Sequence, residues 1–116
     1  MRPASTILLA LALMTANHSA RAHAILMESQ PPALATLPPG PAQVTLRFNS
    51  RIDQARSRLE LRGKGPPLTL KLAATRPDTL SAQTALAPGE WILRWQVLAV
   101  DGHITRGDVP FTVKTP

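Results

Sequence analysis

Asp101 and His103, separated by one glycine in the stretch LAVDGHIT, put a carboxylate and an imidazole two positions apart. In an extended segment side chains alternate, so the two project from the same face. Gly102 leaves the opposite face without bulk. A carboxylate and an imidazole side by side make half of a divalent-metal site. His23, in the stretch ARAHAILM, supplies the other half if processing makes it the first residue, because its free α-amine and a ring nitrogen then close a chelate ring. Three nitrogens and one oxygen form a tetragonal donor set that suits Cu(II), the ion at the peak of the divalent affinity order; zinc prefers tetrahedral surroundings. The amine is a usable ligand, since its ordinary pKa of about 7.7–8.0 lets a metal displace the proton near neutral pH, whereas a lysine near about 10.4 resists. The expected metal ligands are therefore His23, Asp101 and His103, holding one Cu(II) ion per chain.

His23 becomes residue one only if what precedes it is removed. Arg2 supplies a positive start, residues 7–14 (ILLALALM) an apolar stretch, and Ala20-Arg21-Ala22 a small-x-small cleavage sequence, the three parts of an export leader. The apolar run is too short to span a bilayer, which needs roughly 20 residues. Residues 1–22 are expected to be cleaved and residues 23–116 to form one exported domain with no membrane span. Ala22-His23-Ala24 is also a small-x-small triplet; cleavage there would start the chain at Ile25 and remove the chelating residue.

Loss of 22 of the 116 residues leaves 94, enough for one small domain and too few for two. Cysteine is absent, so such a domain holds together by packing without the disulfides common in small exported proteins. Thirteen basic and 7 acidic side chains give a net charge of +6, or +4 once Arg2 and Arg21 are gone. The basic residues are scattered, with one modest cluster from Arg51 to Lys64, and the aromatics (Phe48, Trp91, Trp95 and Phe111) all sit in apolar runs. Nucleic-acid binders usually add stacking aromatics to clustered charge, so a solvated basic face is the better reading, with no nucleic acid as partner.

Short alternating runs punctuated by proline and glycine predict the elements that carry these residues. Val44, Leu46 and Phe48 share one face of a strand over 43–48, and Leu59 and Leu61 one over 58–62; a third run covers 68–72. The stretch EWILRWQVLAV, 90–100, is longer and more apolar and reads as a central strand, opened by the turn residues Ala87-Pro88-Gly89. A last strand over 109–113 contains Pro110, which lacks an amide donor, so this strand is expected at an edge or with that position unpaired. Weaker strands are expected over 24–28 and 79–84, and a proline-rich linker over 31–41. About seven short strands at this spacing predict an all-β fold, a two-sheet β-sandwich.

Alone, Asp-Gly is a common turn dipeptide and a histidine at a cleavage point is weak; their coincidence carries the metal reading. A serine hydrolase is poorly supported, as no Gly-x-Ser-x-Gly sequence is present. A Cu(I) site calls for thioether or thiolate donors, and Met27 is the only methionine after residue 22. With these residues in hand, the chain resembles the CopC family of periplasmic copper-binding proteins, through HAILMESQPPALATL, PAQVTLRFNSRID and LAPGEWILRWQVLAVDGHITRGDVPFTV. The resemblance implies a Greek-key, immunoglobulin-like sandwich that binds Cu(II) through the amine and ring of His23 together with Asp101 and His103. It also implies a copper carrier or buffer, linked to a CopD-type inner-membrane partner on a separate chain. Some members carry an acidic residue after the second strand near the copper, where this chain has Ser50.

The expected function is thus copper homeostasis or resistance without catalysis, by a monomer. Two other classes predict different behaviour. A histidine-brace copper monooxygenase would oxidise a polysaccharide given reductant and peroxide, though 94 residues leave little face for such a substrate. A metal-free adhesive or assembly sandwich would not be stabilised by Cu(II).

Overall fold

Val44, Leu46 and Phe48 alternate with polar neighbours, and in the computed structural model, which describes residues 23–116, all three are fully buried on one face of a nine-residue strand. The leader expected over 1–22 lies outside the described residues. The strands are β1 (Leu26–Gln30), β2 (Thr36–Leu37), β3 (Gly40–Phe48), β4 (Ile52–Arg62), β5 (Leu68–Thr69), β6 (Thr79–Leu86), β7 (Gly89–Ala99) and β8 (Ile104–Val113). They build a three-stranded sheet, β1-β3-β6, and a five-stranded sheet, β2-β8-β7-β4-β5. β3 pairs antiparallel with β6 although β4 and β5 lie between them in the other sheet, and β4 pairs antiparallel with β7. These non-consecutive neighbours are the Greek-key connections of an immunoglobulin-like sandwich. No helix among the described residues is long and apolar enough to cross a membrane.

The core lies between the two sheets. β7 is the middle strand of the larger one, and Leu93, Trp95 and Val97 on its inner face meet β3 and its neighbours. Phe48 and Trp95 pack edge to face with ring centroids 5.1 Å apart, a geometry worth about 0.5–1.5 kcal/mol beyond the area it buries. Trp95 stands opposite Gly107 of β8 in register, and its indole covers the space a side chain would take there.

Two expectations are corrected. The stretch 31–41 is not only a linker, because β2 within it pairs parallel with β8 (Thr36 with Thr112, Leu37 with Val113), making eight strands where about seven were expected. Its bonds come from the far end of the sequence: the Thr112 amide donates to the Ala35 carbonyl at 2.9 Å and the Lys114 amide to the Leu37 carbonyl at 2.9 Å. A two-residue strand between prolines has no period to read. β4, in turn, begins at Ile52, six residues before the readable alternation. Its register with β7 shifts between Asp53 and Arg58. Ser57 fills the irregularity, its hydroxyl donating to the Asp53 carbonyl at 2.6 Å and accepting from the Leu98 amide at 3.2 Å, as at a β-bulge.

Pro110 obeys the rule that singled it out. The Leu34 amide donates to its carbonyl. A strand residue's nitrogen and carbonyl face the same side, so the missing donor looks away from β7. On the outer face of the larger sheet, Arg94 forks onto Asp108 at 2.8 and 2.9 Å, Arg58 and Arg62 flank Glu60, and Arg106 bonds Gln96. The basic residues of this face are thus engaged with acceptors.

Two outcomes follow from the packing. Gly107→Ala forces a methyl group into the Trp95 indole; it is expected to cost about 1–3 kcal/mol by overpacking, read as a lower urea midpoint by tryptophan fluorescence. The Arg94 fork holds the Asp108 carboxyl below its ordinary range, against a smaller opposing effect of desolvation. A depressed carboxyl adds stability that is complete above the unfolded value near about 3.9 and is lost as pH falls through the lower folded value. Asp108→Asn should therefore lower the melting temperature slightly at pH 7, the pair being solvent-exposed, and the gap to the parent should narrow as melts are taken to successively lower pH.

Candidate metal centre

Four residues, 100–103, join β7 to β8. The Ala99 amide donates to the His103 carbonyl at 2.8 Å and the Gly102 amide to the Ala99 carbonyl at 2.9 Å, and Gly102 takes φ +88°, a conformation that glycine adopts without steric cost. Asp101 and His103 therefore sit in a tight turn, not in extended chain. Their common face comes from the turn, and Gly102 is needed for its backbone freedom more than for its lack of bulk.

Within the turn Asp101 grips His103 twice. Its Oδ1 accepts the His103 amide at 3.0 Å, the local side-chain-to-backbone bond typical of aspartate in turns, and its Oδ2 lies 2.7 Å from His103 Nδ1. The amide bond is the largest influence on the carboxyl, which is held below its ordinary value against some desolvation; the two imidazoles His103 and His23 push in the same direction as the amide. Asp101 is an anion at neutral pH. With its Nδ1 against Asp101, His103 keeps its Nε2 to offer, on a side chain 64% exposed.

His23 arrives from the other sheet, just ahead of β1. Its ring meets that of His103 edge to face, centroids 4.6 Å apart and planes at 77°. Its Nδ1 lies 4.0 Å from Asp101 Oδ2, is inaccessible to solvent and has no hydrogen-bond partner among the described residues. A buried polar atom without a partner is costly, and this one faces an anionic oxygen. Nδ1 is also the ring nitrogen near enough to the backbone to close a chelate with the residue's own amine. One donor atom from each of His23, Asp101 and His103 falls within 4.8 Å of the others. Metal bonds of about 2.0–2.2 Å set donors at most about 4 Å apart, so small side-chain rotations bring all three onto one ion. The donor set fits a divalent cation that accepts nitrogen and oxygen.

Reading along the sequence, Asn49 and Thr105 did not emerge as part of this site. The Ile25 amide donates to Asn49 Oδ1 at 2.8 Å, the Asn49 amide donates back to the Ile25 carbonyl at 2.9 Å, and the Thr105 hydroxyl donates to the Ala24 carbonyl at 3.1 Å. Asn49 directly follows a strand, where such residues commonly bond nearby backbone, but no local pattern names Ile25 as its partner. Thr105 is 81 positions from Ala24 and offers no signal at all.

A protein-family model described as the CopC domain matches residues 26–114. The chain belongs to the CopC family. The matched span contains Asp101 and His103 and begins three residues after His23. Protein YobA of Escherichia coli K12 is 32% identical over 114 residues, covering 90% of this chain and 92% of that protein, and the YobA of Shigella flexneri matches equally. Among solved structures, CopC from Methylosinus trichosporium OB3b superposes with a TM-score of 0.71 at 30% identity, over 80% of this chain and 95% of that one. PcoC of Escherichia coli, described as a methionine-rich copper resistance protein, shares the fold with a TM-score of 0.64 at 24% identity, over 80% of this chain and all of its own.

The turn geometry makes one expectation measurable. Gly102→Ala places a side chain at φ +88° and should destabilise the domain by about 1 kcal/mol, seen as a lower denaturant midpoint with an unchanged slope.

Proposed function

We propose that this CopC-family chain is a periplasmic Cu(II)-binding protein that carries or buffers copper, with His23, Asp101 and His103 as the ligands of one ion per chain. The observation that carries the reading is the three-residue cluster with donor atoms within 4.8 Å of one another, in a chain of the family whose Methylosinus trichosporium member is called CopC and whose Escherichia coli PcoC is described as a copper resistance protein. Leader removal after Ala22 frees the His23 amine, which joins Nδ1 as a chelating pair. Asp101 brings one negative charge and His103 a further nitrogen. Nitrogen-rich tetragonal donors favour Cu(II) over softer Cu(I).

Copper is cargo in this scheme, and no chemical step is required of the chain. Both histidines stay partly open, with side chains 45% and 64% exposed. An incoming ligand from a second protein can therefore approach the ion and displace them one at a time. A CopD-type membrane protein, as a separate chain, is the partner proposed to receive the ion from a monomeric carrier.

Cu(II) should raise the melting temperature, because a ligand that binds only the folded state stabilises it by about 2.7 kcal/mol at 100 times its Kd. His103→Ala is expected to lose most of the Cu(II) affinity with little change in the metal-free melt, its side chain being exposed. Thermal melts with and without Cu(II), together with isothermal titration with Cu(II), on protein recovered after export with its intact mass measured, check both points. A mass starting at Ile25, or affinity unchanged in His103→Ala, would overturn the reading.

A further inference from the structure

We infer that Asn49 and Thr105 are positioning residues for His23, clamping the backbone behind it so that its two nitrogens face Asp101 and His103; the inference rests on the copper reading of the same site. The three bonds involved hold consecutive backbone groups: Thr105 takes the Ala24 carbonyl, and Asn49 takes both the amide and the carbonyl of Ile25. Ala24 is itself only 3% exposed. Freedom of the chain thus ends at Ala24, and His23 is the single described residue beyond the clamp.

The placement of the clamp explains why it bears on the metal. Asn49 belongs to the connection from β3 to β4, which crosses from one sheet to the other, and Thr105 is the second residue of β8. β1 belongs to the three-stranded sheet, while Asp101 and His103 hang from the five-stranded one. Between Ala24 and β8 itself the Thr105 hydroxyl supplies a direct polar tie. With the clamp in place the His23 ring stands 4.6 Å from that of His103. Without it, His23 would sample many directions, and chelation would have to order it at the moment of binding. Hydrogen-bonded groups around metal ligands change affinity by about 10–100-fold when removed, and that is the loss expected here.

The clamp acts through His23 alone, which separates positioning from general support. Asn49→Leu keeps the approximate size and removes the acceptor; Asn49→Asp keeps an acceptor oxygen; Thr105→Val removes the hydroxyl and keeps the shape. The experiment measures Cu(II) affinity of each variant, recovered after export with His23 confirmed as first residue by mass, in the parent and in a His23→Ala background. The expected result is an affinity loss of about 10–100-fold for Asn49→Leu, a loss in the same direction for Thr105→Val, near-parent binding for Asn49→Asp, and no further loss from either change once His23 is alanine. If Asn49→Leu fails to fold, Thr105→Val carries the test. Parent-like affinity in both Asn49→Leu and Thr105→Val, or equal losses with and without His23, overturns the clamp. His103→Ala, measured alongside, keeps the two readings apart: if it too binds like the parent, the copper site itself is wrong.

Discussion

Every feature of the candidate site depends on the apolar contact between the two sheets. One candidate ligand, His23, precedes β1 of the three-stranded sheet, and the other two candidates, Asp101 and His103, sit at the β7–β8 turn of the five-stranded sheet. No disulfide ties the sheets together, since the chain has no cysteine. What sets the distance from His23 to Asp101 and His103 is the packing of residues such as Phe48, Leu46, Leu93 and Val97, all fully buried, with the Phe48–Trp95 contact between the layers. A close-packed interior transmits small displacements with little loss. The core therefore works as the frame that brings two separate halves of a donor set together.

On that frame, the site is assembled by local bonds of different kinds. The β7–β8 turn is pre-formed by Gly102 and by the bond from the His103 amide to Asp101, which at once fixes the turn and lowers the proton affinity of the carboxylate. The His23 side is held by the bonds to Asn49 and Thr105. Asp101 faces both imidazoles, 2.7 Å from one and 4.0 Å from the other. A carboxylate beside two ring nitrogens adds a negative charge where the nitrogens converge, an arrangement that suits a cation. The Nδ1 of His23 has no hydrogen-bond partner among the described residues, as a nitrogen kept for a cation would.

Much of the sandwich was legible because half-buried strands announce themselves by alternation. Val44, Leu46 and Phe48, then Leu59 and Leu61, then Leu93, Trp95 and Val97 all point inward as their spacing predicts. β2 was not legible, since its two residues gain their strand character only from β8, seventy-six positions away. The first half of β4 was hidden by its shifted register, where Ser57, a buried polar residue, stands in an otherwise apolar row. At the site, the identities of His23, Asp101 and His103 could be read from donor chemistry. The reason first given for the Asp101–His103 pairing, strand alternation, is replaced by turn geometry.

By itself the sequence determined the two-sheet all-β architecture, the strand faces that form the core and the three residues able to donate to a metal, because these follow from side-chain period and from the chemistry of imidazole, carboxylate and amine. Only the tertiary structure decided that those residues meet. Seventy-eight positions separate His23 from Asp101, and no local pattern states which loops share an end of the sandwich. Asn49 and Thr105 belong to the same class of information: a hydrogen bond is directional and short, so its partner is known only when the chain has folded.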